Sequence, residues 1–288
     1  MADFQLDDKT RLAIVGCGKM GEAILAGALS SGIIDAARVV AVAPRAARRE
    51  YLEDEYGIAT IADVYGLYSF GIGPSDICLL AVKPQVLTDV LDSVKTATNN
   101  PVFVSIAAGI TLDTLEDALG EQASVVRVMP NTPALVGKGC SLISGGSSCT
   151  EQQLESIVQL FSSFGVAHII DEKLQNAGSA LSGAGPAYFA LIINALTRAG
   201  LTQGLKREVA QDLSVATMAG TAGMLEKLEM HPEQLIDMVT SPGGTTIAAV
   251  NVLENYKLRA AFGEAVDAAV GRAEELAWEH DEEMEDEE

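Results

Sequence analysis

The chain is short of positive charge: 19 lysines and arginines stand against 40 aspartates and glutamates, a formal net charge of −21 over 288 residues. Such a chain repels phosphate backbones and anionic lipid, which excludes nucleic acid and membrane surfaces as partners. Histidine is also rare. His168, His231 and His280 are the three in the chain, and none falls in a suspected site, so each reads as structural. Cys17, Cys78, Cys140 and Cys149 lack metal-ligand spacing. The first residues are acidic and unlike a secretion signal, so the cysteines are expected to be reduced thiols of a cytoplasmic protein, with no metal bound. No uninterrupted apolar run reaches bilayer length, and neither an internal repeat nor a low-complexity linker is evident. Eight of residues 279–288 are Asp or Glu with little to bury, which predicts a disordered tail. The remaining body is acidic too, as expected of a protein adapted to a salty cytoplasm where like-charge repulsion is screened.

The richest feature is Gly16-Cys17-Gly18-Lys19-Met20-Gly21. A short apolar segment, residues 11–15, precedes it, and a proline-free stretch at helical spacing, residues 22–30, follows. A strand feeding a glycine turn that opens a helix is the context of a dinucleotide site. Gly16 allows the turn, Gly18 lets backbone approach a pyrophosphate, and Gly21 lets helix and strand pack closely. Lys19 and Met20 complete the turn, and the helix start offers free N–H groups to the phosphates. An NAD-binding protein usually carries a carboxylate after the second strand, about 20 residues on. Here Pro44 and Arg45 follow residues 38–43, with Arg48 and Arg49 close behind. Arginine suits a 2′-phosphate, so the expected cofactor is NADP(H), NAD(H) being admitted as well, and Arg45 is the expected phosphate contact.

Strand-like segments at 11–16, 38–43, 58–61, 76–82, 101–107, 124–129, 139–144 and 165–170 alternate with helical ones. That alternation predicts an α/β fold with a doubly wound, mainly parallel sheet of Rossmann type over residues 1–171. Residues 172–278 are rich in Ala, Leu and Met at helical spacing, broken at 182–186, at Gly204 and at 241–246. They predict an all-helical second domain, and helices apolar on several faces need a partner, most economically a second copy of the chain.

Four groups of residues resemble the pyrroline-5-carboxylate reductase family. They are Gly16-x-Gly-x-Met-Gly21, the turn Val82-Lys-Pro-Gln85, Arg127-Val-Met-Pro-Asn-Thr-Pro133, and the pair Leu181-Ser-Gly-Ala-Gly-Pro-Ala-Tyr188 with Thr240-Ser-Pro-Gly-Gly-Thr-Thr-Ile247. The resemblance runs from Leu12 to about Leu276, and the last pair carries the family's signature region. Lys19 departs from it, standing where the family commonly has Asn. The resemblance implies NAD(P)H-dependent reduction of Δ1-pyrroline-5-carboxylate to L-proline. It also implies a homodimer of interlocked helical domains, often assembled further, with active sites at the subunit interface. Val82, Lys83 and Pro84 would line the cofactor and Asn131 would lie near the nicotinamide. Gly244, Thr245 and Thr246 would form the substrate loop, with Ser182 beside the substrate and Thr246, the one catalytic side chain assigned, facing the ring nitrogen.

The residues suit that task. Pro-Gly-Gly can turn its amides inward ahead of a helix start, which cradles a carboxylate without arginine. A protonated C=N bond is already electrophilic, so placing the reactants and excluding water accounts for the absence of an obvious acid–base set. Plainer readings stand beside these: close helix packing for 182–186, a solvated Lys83, and a helix cap for Asn131. Two alternative functions also stand. A β-hydroxyacid or prephenate-type dehydrogenase would need a catalytic Lys or His in the helical half, where Lys173, Lys206, Lys227 and Lys257 lie in no matching motif. A non-catalytic NADP-binding regulator would have little need of the 242–246 loop.

Overall fold

The structure, a computed structural model, describes residues 6–285. Its sheet has the strands β1 (Leu12–Val15), β2 (Val39–Val42), β3 (Ala59–Ile61), β4 (Ile77–Leu80), β5 (Val102–Ser105), β6 (Val125–Met129), β7 (Gly139–Gly145) and β8 (Gly165–Ile169). Their order is β3-β2-β1-β4-β5-β6-β7-β8. All neighbours pair in parallel except β6 and β7, which form a hairpin through Thr132–Val136. The predicted doubly wound, mainly parallel sheet is therefore present.

Alternation along the strands builds two cores, one on each face. Leu12 and Ile14 of β1, Ala41 of β2, Leu79 of β4 and Val104 of β5 pack with helices α1 (Lys19–Ser30) and α5 (Glu151–Ser162). Ala13, Val15, Val40, Val42, Cys78, Leu80 and Phe103 face the other way. They meet Leu87, Leu91 and Val94 of α3 (Pro84–Ala97) and Leu112, Leu115 and Leu119 of α4 (Leu112–Leu119). Strands covered on both faces read as continuous apolar runs, which is why these were legible. Helix α2 (Ala46–Tyr56) follows β2 and stops at Gly57 in the left-handed conformation.

The chain divides into two compact units, one reaching to Gly183 and resuming at Val270, the other spanning Ala184–Ala269. Helix α6 (Gln175–Ser182) belongs to the sheet unit, with Gly178 packed so closely on Leu142 that a Cβ there would lie 2.5 Å from Leu142 Cδ1. The second unit holds α7 (Gly185–Thr202), α8 (Arg207–Leu228), α9 (Pro232–Val239) and α10 (Thr245–Asn255). Its helix α11 (Leu258–Glu285) continues into the first unit. The sequence shows no break near residue 256, but Lys257 adopts φ 55° and separates α10 from α11. At its far end α11 runs through residue 285, so residues 279–285 are helical rather than structureless, because no glycine or proline follows Gly271 to stop the helix. The rest of the acidic tail lies outside the described residues.

Within the second unit α7 packs on α8, where Ala210 Cβ approaches the Gly200 backbone to the point that a Cβ at 200 would sit 3.0 Å from it. Leu191, Leu196, Leu213, Met238, Val252 and Tyr256 nevertheless remain exposed. Residues Glu172–Thr202 are, among the described residues, the one helical stretch long and apolar enough by composition to cross a bilayer, and they are broken between α6 and α7.

Candidate active site

The first turn is built around Gly16. Its φ of 85° is one that other residues rarely adopt, and a Cβ there would meet Val82 Cγ1 at 2.5 Å. Gly16 N donates to Val42 O at 3.1 Å, and Gly18 N donates to Gly16 O at 3.0 Å, tying the turn to β2. At Gly21 a Cβ would sit 3.1 Å from Gly16 O and 3.2 Å from Ala81 Cβ, which sets how closely α1 approaches the strands. Gly18 caps α1 and has nothing within 4 Å of where a Cβ would point. The amides of Lys19, Met20 and Gly21 lie in the helix's first turn, ahead of the first intrahelical bond from Glu22 N to Gly18 O. Open space beside unpaired amides fits a pyrophosphate.

The three arginines after β2 prove to be different in kind. Arg48 Nε donates to Cys17 O at 3.0 Å, and its Nη2 pairs with Glu22. Arg49 Nη1 donates to Ala43 O at 2.9 Å and to Pro44 O at 2.8 Å. Both hold the turn together. Arg45 is exposed at the N-cap of α2, its side chain makes no capping bond, and it has no partner among the described residues. Pro44 is exposed beside it. A free guanidinium at a helix start is the expected arrangement for a 2′-phosphate.

Beneath them Glu22 gathers Arg48, Tyr51 and Tyr56, accepting from the two hydroxyls at 2.9 and 3.0 Å. Partial burial opposes its charge, but these bonds outweigh that and hold its carboxyl below the usual range. Tyr56 is pushed upward by burial and by the same carboxylate. Burial raises the Cys17 thiol to about 11, so this cysteine inside the glycine turn is an unreactive one.

At the carboxyl ends of the strands, Lys83 caps α3 and is exposed without a partner among the described residues, while Val82 and Pro84 are half-buried. Asn131 opens the short turn Thr132–Val136 but makes no capping bond with its side chain. Its Nδ2 donates to Ser182 O at 2.8 Å and its Oδ1 accepts from Cys140 N at 2.8 Å. The helix-cap reading of Asn131 therefore fails, since a 7 % exposed amide finds better partners in β7 and α6. Ser182 turns its hydroxyl back to Gly178 O at 3.1 Å.

The same strand ends surround a cavity of about 280 Å³, lined among others by Pro84, Gln85, Gly109, Arg127, Met129 and Gln175. Arg127 and Gln175 carry no assignment from the sequence. The signal for Arg127 was present, a charge inside the apolar strand Val125–Met129. Arg127 Nη1 pairs with Glu172 Oε1 at 2.8 Å, and the same oxygen accepts from Leu112 N at 2.7 Å at the start of α4.

In the second unit the predicted substrate loop is a tight turn. Gly244 N donates to Ser241 O at 2.9 Å, and Gly243 takes φ 69°. Gly244 caps α10 without side-chain help, and the first intrahelical bond comes from Ala248 N. The amides of Thr245 and Thr246 are therefore in the first turn without intrahelical acceptors. Both threonines are exposed, and their hydroxyls have no partner among the described residues. His231, by contrast, is structural as expected: its Nδ1 accepts from Glu233 N at 3.2 Å and caps α9.

Comparison with known proteins matches residues 172–276 to the family model for pyrroline-5-carboxylate reductase dimerisation. Residues 11–109 match that for NADP oxidoreductase, coenzyme F420-dependent. The pyrroline-5-carboxylate reductase of Synechocystis sp. is 41 % identical over 266 residues, covering 92 % of this chain and 98 % of that protein. Among solved structures, the pyrroline-5-carboxylate reductase of Coxiella burnetii is 31 % identical, with a TM-score of 0.86 over 93 % of this chain and 98 % of that one. The Plasmodium falciparum pyrroline carboxylate reductase, solved with NADP bound, is 29 % identical with a TM-score of 0.81, over 94 % and 99 % of the two chains.

Proposed function

Since the chain belongs to the pyrroline-5-carboxylate reductase family, we propose that it reduces the C=N bond of Δ1-pyrroline-5-carboxylate to L-proline with NADPH, the last step of proline biosynthesis. The single observation that carries the reading is the 241–246 loop. Gly243 and Gly244 turn it so that the Thr245 and Thr246 amides stand free at a helix start, a cradle for the substrate's carboxylate.

Each chain residue then has a definite task. The amides of Lys19, Met20 and Gly21 hold the pyrophosphate over Gly18, and Arg45, beside Pro44, holds the 2′-phosphate. Val82, Lys83 and Pro84 form the wall next to the glycine turn. Asn131 acts as a positioning residue, because its amide clamps the end of β6 to β7 and to the end of α6. Ser182 contributes its carbonyl to that clamp. Bound NADPH supplies the hydride. The Thr246 hydroxyl faces the ring nitrogen and keeps its proton there while the carboxylate fixes the ring's orientation. Orientation and exclusion of water supply most of the acceleration, and no strong acid is required.

Leu191, Leu196, Leu213, Met238, Val252 and Tyr256 are too many large apolar groups to leave in water. They form the interface of a homodimer, which can assemble further, in the cytoplasm. Absence of a carboxylate after β2 still admits NADH as a poorer donor. The test is turnover by the purified chain: loss of nicotinamide absorbance with pyrroline-5-carboxylate, and proline identified as product. No turnover at any salt concentration would refute the reading.

A further inference from the structure

Gln175 is 1 % exposed, yet its Oε1 has no hydrogen-bond partner among the described residues. Its orientation is fixed by its neighbour. The Ser144 hydroxyl has one hydrogen, donated to Ile170 O at 2.8 Å, so it can only accept from Gln175, and Nε2 donates to it at 2.9 Å. Oε1 is thereby the orphan, and an unpaired buried carbonyl is unfavourable unless a ligand completes it.

Ser144 lies directly opposite Arg127 in the β6–β7 register, so Gln175 and Arg127 are neighbours, and both line the cavity at the strand ends. Of Arg127's donors only Nη1 is bonded among the described residues. Its charge is offset by Glu172. The pair thus combines one buried, unpaired acceptor at the cavity wall with unbonded donors and little net charge. A carboxylate would meet the Gln175 carbonyl oxygen unfavourably, whereas a primary carboxamide offers an N–H to Gln175 and a C=O to Arg127.

We propose that Gln175 and Arg127 recognise the carboxamide of the nicotinamide ring, Gln175 Oε1 accepting from its NH₂ and Arg127 donating to its carbonyl, which sets which face of the ring is presented for reaction. This deepens the proposed function and rests on its cofactor.

Equilibrium binding to the full chain, measured by calorimetry, tests this without turnover. The probes are NADPH, its reduced 3-acetylpyridine analogue (methyl in place of NH₂), its thionicotinamide analogue (a weak acceptor), and 2′,5′-ADP, which lacks the ring. The wild-type chain should bind NADPH about tenfold more tightly than the acetylpyridine analogue, the value of one buried hydrogen bond. It should bind the thio analogue several-fold more weakly than NADPH. Gln175→Met should abolish the first preference and leave 2′,5′-ADP binding unchanged. Equal wild-type affinity for NADPH and the acetylpyridine analogue overturns the assignment, with no variant needed. So does a Gln175→Met chain that weakens all four probes alike. Preserved discrimination without turnover of pyrroline-5-carboxylate would sink the reaction assignment alone.

Discussion

Replacing Arg45 by alanine should cut selectivity for NADPH over NADH. The structure isolates this residue from its neighbours. Arg48 is bonded to Cys17 O and Glu22, and Arg49 to Ala43 O and Pro44 O. Arg45 makes no capping bond at α2, so its removal costs the fold nothing that can be named. A hydrogen bond to a charged group contributes about 1.5–3 kcal/mol, and an exposed site takes the low end. About 1.4 kcal/mol corresponds to a tenfold change. The ratio of kcat/KM for NADPH to that for NADH should therefore fall about tenfold, mostly through the NADPH value. Raising the salt concentration should shrink the same ratio in the wild type, since the contact is exposed. Arg48→Ala should instead lower stability and weaken both cofactors together. An unchanged ratio in Arg45→Ala, or a larger shift in Arg49→Ala, would show that another group holds the phosphate.

Thr246→Ala should lower kcat by about tenfold, the scale of one lost hydrogen bond to a charged group, while the Kd for NADPH stays constant; an equal loss of cofactor affinity would disprove the loop's assignment. Glu22 has its pKa lowered in the folded chain, so its contribution to stability is full above the unfolded value and fades as pH falls through the folded one. Denaturant titrations should accordingly show Glu22→Gln destabilised at neutral pH, with the gap to the wild type closing in acid; a constant gap would mean that the carboxylate charge is irrelevant. With a net charge of −21 the chain should gain stability on addition of molar salt, and a melting temperature highest in dilute buffer would dispose of the salt-adaptation idea.

Much of this was legible in the residues because the sheet's local signals agree with its global fold. Val39–Val42 and Ile77–Leu80 are buried on both faces, so they read as apolar runs, and Gly16 is dictated by backbone strain and by Val82. The break at Lys257 was not legible, since the left-handed residue there is neither glycine nor proline. Nor was the helix through residue 285, where composition suggested solvation but nothing stops the hydrogen-bond ladder. The family resemblance implied a place near the nicotinamide for Asn131 without revealing that Ser182 and Cys140, distant in sequence or on the next strand, would occupy its amide. Gln175 was illegible for the same reason: its partner Ser144 is 31 positions away.

The most direct measurement is a crystal structure of the chain with NADP⁺ and L-proline, the two products, bound together. The proline carboxylate should lie on the amides of Thr245 and Thr246, its ring carbon C5 against the nicotinamide and its nitrogen beside the Thr246 hydroxyl. Proline seated anywhere else, with the Gly243–Gly244 turn directed away from the nicotinamide, would contradict the assignment of the site.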